Sequence, residues 1–230
     1  MEKLEAIFGV KIDDPKNFLR ALTHPSFTQD NKEDYVECYE RLEFLGDAVL
    51  KLSISDILFE KFPEGAEGKM SKIRSIVVSD STLAKVSMDL GLNEFIRVAK
   101  HEEKQGCKKL ESVVACSFEA LLGAYYLDGK FEEIKLFIKK TFEKIIADAE
   151  NHPDSYNAKA ILQEYTQAQH QDRPEYSVKS ESGPDHNKIF EIEVSWHGDI
   201  LASGCGKTKK EAEQNAARNA CIKLGVIKNL

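Results

Sequence analysis

Between Glu40 and Leu50 the chain reads ERLEFLGDAVL, and no other run constrains the fold as much. Leu42, Leu45, Val49 and Leu52 recur at helical spacing, which predicts an amphipathic helix with one face on a core. Glu43 and Asp47 are four residues apart, so such a helix stacks two carboxylates on one face, with Cβ atoms roughly 5–6 Å apart. Glu40 adds a third acid one turn earlier. Gly46 costs the helix about 1 kcal/mol relative to Ala, which predicts a close approach by something bulky. Paired acids repel one another unless a cation lies between them, and oxygen ligands of this kind suit Mg²⁺ or Mn²⁺. On spacing alone the alternative is a solvated acidic face.

Bulk properties narrow the setting. A chain of 230 residues allows one or two domains with a sizeable core. No apolar run reaches membrane-spanning length, and MEKLEAIFGV has neither the basic start nor the apolar core of a signal peptide. Cys38, Cys107, Cys116, Cys205 and Cys221 are odd in number and scattered, without CxxC or a Cys/His cluster. They read as reduced thiols, and the expected location is the cytoplasm, with no membrane partner. A net charge of −7 argues mildly against nucleic acid as a partner.

Mapping the charges weakens that objection. The polar stretch NHPDSY at 151–156 reads as a linker. Before it, 1–150 reads as helical, with helices expected near Val36–Phe62, Lys69–Leu90, Lys108–Leu127 and Phe131–Ala149. After it, 157–227 reads as helix, three strands, helix. Phe190, Ile192, Val194 and Trp196 alternate with polar residues as a half-buried strand, and His197-Gly198-Asp199 supplies a hairpin turn. Helices are expected at Ala158–Gln169 and Lys209–Leu224. Residues 1–150 carry 22 Lys and Arg against 28 Asp and Glu, whereas 156–230 carry ten of each. The excess acid lies where a metal site needs it. Lys207, Lys209 and Lys210 bunch at the start of the last helix, after a Gly204-Cys205-Gly206 break. Cations there oppose the helix dipole, which favours an anionic ligand over a merely solvated helix start.

ERLEFLGDAVL matches the signature of the ribonuclease III family, the endonucleases that cut double-stranded RNA. ALTHPSF at 21–27, EGKMSKIR at 67–74 and EALLGAYYLD at 119–128 resemble further family segments in the right order. The resemblance covers almost the whole chain. It implies an all-α nuclease domain followed by a small α+β (α-β-β-β-α) double-stranded-RNA-binding domain. It also implies Mg²⁺, with Mn²⁺ as the alternative, and products with 5′-phosphate and 3′-hydroxyl ends from RNA precursors such as ribosomal RNA. In the second domain it points to Gln163, Glu164 and Gln167 on the first helix. His186 in GPDH, together with Lys207, Lys209 and Lys210, completes its RNA contacts. Glu213 stands where many relatives have a further lysine. Such domains read duplex shape across two minor grooves and the phosphates between. Family nuclease domains pair as homodimers, and Phe44 matches the aromatic that plugs into the partner; its plain reading is a core residue.

The family takes two acids from each acidic helix, the second pair spaced as Asp-x-x-Glu. Here Glu119 matches the Glu, but three residues before it stands Cys116, and no Asp occurs between Asp89 and Asp128. Ser112, Cys116, Glu119 and Gly123 share one helical face, and Glu111 points elsewhere. The expected metal ligands are therefore Glu43, Asp47 and Glu119, with Asp47 and Glu119 catalytic and Glu40 as an outer acid. A thiol suits Mg²⁺ poorly, so Cys116 is expected to leave room for water instead of coordinating. Glu67 is expected near the site, and Lys72 and Arg74 could touch phosphate. The competing reading is a catalytically impaired regulator that binds duplex RNA.

Overall fold

The computed structural model describes residues 1–151, 158–170, 172–183 and 188–227. The chain divides into two compact units, Met1–Ala149 and Glu150–Leu230. Apart from Asn151, the expected linker at 151–156 lies outside the described residues.

Helices built from short local signals make up the first unit. After α1 (Glu2–Phe8), Asp14 caps α2 (Pro15–Ala21), its carboxylate accepting from the Lys16 amide at 3.0 Å. His24 caps α3 (Pro25–Asn31) in the same way, from Nδ1 to the Ser26 amide. Both have proline in the first helical turn, where its missing N–H costs nothing. The long elements follow: α4 (Glu40–Lys61), α5 (Glu67–Val77), α6 (Asp80–Asp89), the short α7 (Lys100–Lys104), α8 (Glu111–Leu127) and α9 (Phe131–Asn151). Helix α8 is buried almost all round; α4 packs along it, and α2 and α6 lie on other faces. Helix α9 adds Ile134, Ile138, Phe142, Ile146 and Ala149 to the same core, a stripe at helical spacing.

Two expectations are corrected. The stretch Lys69–Leu90 is not one helix. It breaks at Val78-Ser79, and the Ser79 hydroxyl accepts from the Thr82 amide to start α6. Leu52 is 59% exposed, so the buried face of α4 runs instead through Leu42, Gly46, Val49, Leu50, Ser53, Ile54, Ile57 and Leu58. The helix turns by 3.6 residues per turn, and a stripe drawn through Leu45 and Leu52 drifts off that face.

The close approach at Gly46 is made by the backbone of α8. A Cβ at Gly46 would fall 1.7 Å from the Glu119 carbonyl oxygen, and one at Gly123 would fall 2.4 Å from the Leu42 carbonyl oxygen. The two helices cross glycine to glycine, backbone against backbone.

In the second unit α10 (Ala158–His170) precedes three strands, β1 (Glu175–Ser182), β2 (Ile189–Trp196) and β3 (Asp199–Gly206), and α11 (Lys209–Lys223) closes it. The sheet is antiparallel in the order β1-β2-β3. His197 and Gly198 make the turn, both at positive φ (53° and 83°), the geometry of a tight two-residue hairpin. Ile192 and Val194 point to the helices, where Val194 packs with Leu162 and the Ala216, Ala217 and Ala220 side of α11. Gly204 and Gly206 are not a break. They belong to β3, where a Cβ on Gly204 would lie 2.1 Å from the Ala216 amide nitrogen, so α11 rests on bare strand.

Gly46→Ala is expected to lose stability although alanine is the better helix former by about 1 kcal/mol. The two backbones must separate, at a cost of about 2 kcal/mol or more, measurable as a lower urea midpoint at unchanged slope.

Candidate active site

The glycine crossing sets Glu43 and Asp47 of α4 against Glu119 of α8. These three acids and Glu40 line one open cleft of about 1020 Å³. Cationic and hydroxylic groups share the lining: Lys51 one turn beyond Asp47 on α4, and Ser71, Arg74 and Ser75 of α5, together with Phe44 and Val78. The structure also brings in Asp80, the first residue of α6. Its signal was available in Ser79-Asp80-Ser81, a helix-start pattern inside what was taken for one continuous helix.

The acids feel one another. Glu119 is pushed up to about 8, first by burial and then by the charges of Asp47, Glu43 and Asp80, with Lys51 pulling the other way. Burial also raises Glu43, which receives a hydrogen bond from the Cys116 thiol. That thiol is itself driven up by burial and by the Glu43 charge, so it stays protonated and neutral. Asp47 is held by Lys51 at 2.8 Å. Glu40 has one carboxylate oxygen buried without a hydrogen-bond partner among the described residues.

This donor set fits a hard divalent cation. It is made of oxygens, it carries more negative charge than its burial favours, and it contains an orphaned buried oxygen. Glu43, Asp47 and Glu119 would hold the ion. As they stand, no three His, Cys, Asp or Glu side chains among the described residues already converge at ligating distance. Lys51 pairs with Asp47, and the Cys116 thiol donates to Glu43.

The remaining expected residues separate. Arg74 reaches the cleft and is oriented by donating to the Ser55 hydroxyl at 2.7 Å, while Lys72 is exposed on α5 and does not line it. Glu67 is exposed one turn before Ser71 and accepts its hydroxyl at 2.6 Å, acting on the cleft lining rather than in it. Phe44 is no core residue: it is 83% exposed and borders both the acidic cleft and a groove of about 710 Å³ lined by Tyr35, Val36 and Leu127 together with Arg20 and Arg41.

In the second unit Gln163, Glu164 and Gln167 sit on α10, with Glu164 exposed, and His186 lies outside the described residues. Lys207, Lys209 and Lys210 are exposed at the start of α11, where Thr208 caps the helix by accepting from the Glu211 amide. Lys209 also reaches Glu181 at 3.3 Å. Glu213 has a partner of its own, Lys159 on α10 at 2.5 Å, so the acid is used to join the two helices.

Glu119 has a stability consequence. Its folded pKa of about 8 lies above the ordinary 4.5, so between those values the folded protein keeps a proton that the unfolded chain has released. Stability must then fall as pH rises through that window. In EDTA the melting temperature of the wild type should drop from about pH 5 to about pH 8 more steeply than that of Glu119→Gln.

Comparison with known proteins agrees with this geometry. Residues 14–146 match the model of a ribonuclease-III-like family and residues 158–224 that of a double-stranded RNA binding motif. The chain is 40% identical over 222 residues to ribonuclease 3 of Natranaerobius thermophilus, covering 96% of this chain and 95% of the relative. It is 38% identical over 224 residues to ribonuclease 3 of Listeria welshimeri, covering 97% of both. Solved structures of the nuclease domain of ribonuclease III from Campylobacter jejuni, one of which describes structural flexibility in a region involved in dimer formation, also resemble it. That one superposes with a TM-score of 0.57 at 38% identity, over 62% of this chain and 96% of the other. No helix among the described residues is long and apolar enough to cross a membrane. With a nuclease unit built around paired acids and a duplex-binding motif behind it, the chain belongs to the ribonuclease III family and is an endoribonuclease acting on double-stranded RNA.

Proposed function

We propose that the chain cuts both strands of duplex RNA as a homodimer, using Mg²⁺, or Mn²⁺ in its place, and leaves 5′-phosphate and 3′-hydroxyl ends. The observation that carries this reading is the meeting of Glu43, Asp47 and Glu119, from two helices, in one cleft with Lys51 and Arg74. When bound, the ion supplies the acidity that turns water into a nucleophile and neutralises charge on the phosphate. The chain's own groups do the rest. Asp47 and Glu119 orient the attacking water. Lys51 and Arg74 receive the phosphodiester, and the Ser55 bond keeps the Arg74 guanidinium aimed. Residues 1–150 form the nuclease domain and 157–227 the domain that grips the duplex, through Gln163, Glu164, Gln167, His186 and the three lysines of α11. Phe44, exposed beside a groove, supports the homodimer through a self-complementary contact. Ribosomal RNA precursors are the natural substrates in this reading. The five cysteines are free, which supports a reducing cytoplasm.

The competing regulator reading rests on Cys116, a neutral group facing Glu43. One assay separates the two: a generic RNA duplex is shortened in Mg²⁺ and spared in EDTA by the enzyme, and spared in both by a regulator. Glu119→Gln is expected to slow cleavage by about 100-fold or more while duplex affinity in an EDTA gel shift stays at the wild-type level. Cleavage by that variant at the wild-type rate overturns the ligand assignment.

The lysines make a separate prediction. Replacing Lys207, Lys209 and Lys210 together with alanine should weaken duplex binding and flatten the plot of log affinity against log salt by about 2–3 units, since each phosphate contact contributes roughly one. An unchanged salt slope shows that the start of α11 does not meet the phosphates.

A further inference from the structure

Helix α8 presents two side chains towards the acids of α4, and only one of them is a carboxylate oxygen donor. Glu119 is a carboxyl, and Cys116 is a thiol that donates to Glu43 and, as a soft group, suits a hard cation poorly. The cleft nevertheless holds a further carboxylate, from a third element. The chain breaks at Val78-Ser79 between α5 and α6, and the new helix opens with Asp80, so that Val78 and Asp80 both line the cleft. Helix α6 packs on α8, the helix of Cys116 and Glu119. The charge of Asp80 acts on Glu43, on Cys116 and on Glu119. Asp80 is exposed while lining the cleft.

We propose that Asp80 is a positioning residue for the catalytic cation: through the ion's own water shell it supplies the charge that Cys116 withholds from α8. This rests on the metal-dependent reading above. Mg²⁺ keeps several of its waters when protein-bound, so an exposed carboxylate lining the cleft can hold the ion without displacing them. The plainer role for Asp80 is to complement the dipole at the start of α6. That role predicts an effect on folding alone, independent of the ion and of Cys116.

The test is Mn²⁺ binding to the full-length protein, followed by the loss of the free-ion spin-resonance signal. Wild type, Asp80→Asn, Cys116→Asp and the double variant are compared, with metal-free melting as the folding control and Asp80→Ser as a second variant. Asp80→Asn is expected to raise the Mn²⁺ dissociation constant about 10-fold, the scale on which groups outside the ligand shell act. Adding Cys116→Asp to it should return the constant to within about threefold of wild type, because a charge restored on α8 replaces the one lost from α6. The proposal is overturned if the Asp80 variants bind Mn²⁺ like the wild type, or if the double variant binds no better than Asp80→Asn. If the wild type itself neither takes up Mn²⁺ nor cuts duplex RNA in Mg²⁺, the metal-dependent reading fails and this one falls with it. If the wild type binds and cuts but Asp80→Asn matches it in affinity, only the role of Asp80 is lost.

Discussion

Everything in the first unit is arranged around one backbone contact, the crossing of α4 and α8 at Gly46 and Gly123. Helices usually pack through side chains, 8–10 Å apart at their axes. Here neither helix has a side chain at the crossing, and the peptide groups themselves touch. The contact lies one residue from Asp47 and three from Glu43, so acids distant in sequence become the walls of one cleft. The apolar side chains around the crossing, Leu42, Val49, Leu50 and Phe118 among them, are fully or nearly fully buried and hold the pair in place.

The crossing also explains what could be read from sequence. A glycine inside a strongly patterned helix signals a close neighbour, and that inference was correct for Gly46. Period two along Phe190–Trp196 and the turn at His197-Gly198 led to the hairpin that is found, since both follow from local backbone rules. That the acids of α4 share a cleft with Glu119 is legible in the sequence because helical spacing and family resemblance agree. An aromatic between two acids, such as Phe44, fits either a core edge or an exposed ridge on pattern alone, and the fold leaves it exposed.

The failures share a cause. Asp80 and the α5–α6 break were missed because apolar periodicity continues through Ile76, Val77, Leu83 and Val86, all buried, while the capping serine between them interrupts only the backbone. Gly204 and Gly206 were read as loop because glycine in a strand resembles a break. What they serve is contact with α11, a partner from later in the chain that no local window contains. Leu52 was placed inward because four leucine and valine positions suggested a stripe, whereas the buried stripe recruits Gly46 and Ser53, which carry no apolar bulk.

The pairing of Lys51 with Asp47 has a consequence for how the cleft works as a whole. The ammonium sits one helical turn from the carboxylate it holds, within the same cavity. It is a built-in counterion for Asp47. The cleft thus carries its own neutralising charge, and any cation for Asp47 competes with an ammonium tethered to the same helix, which dilution cannot remove.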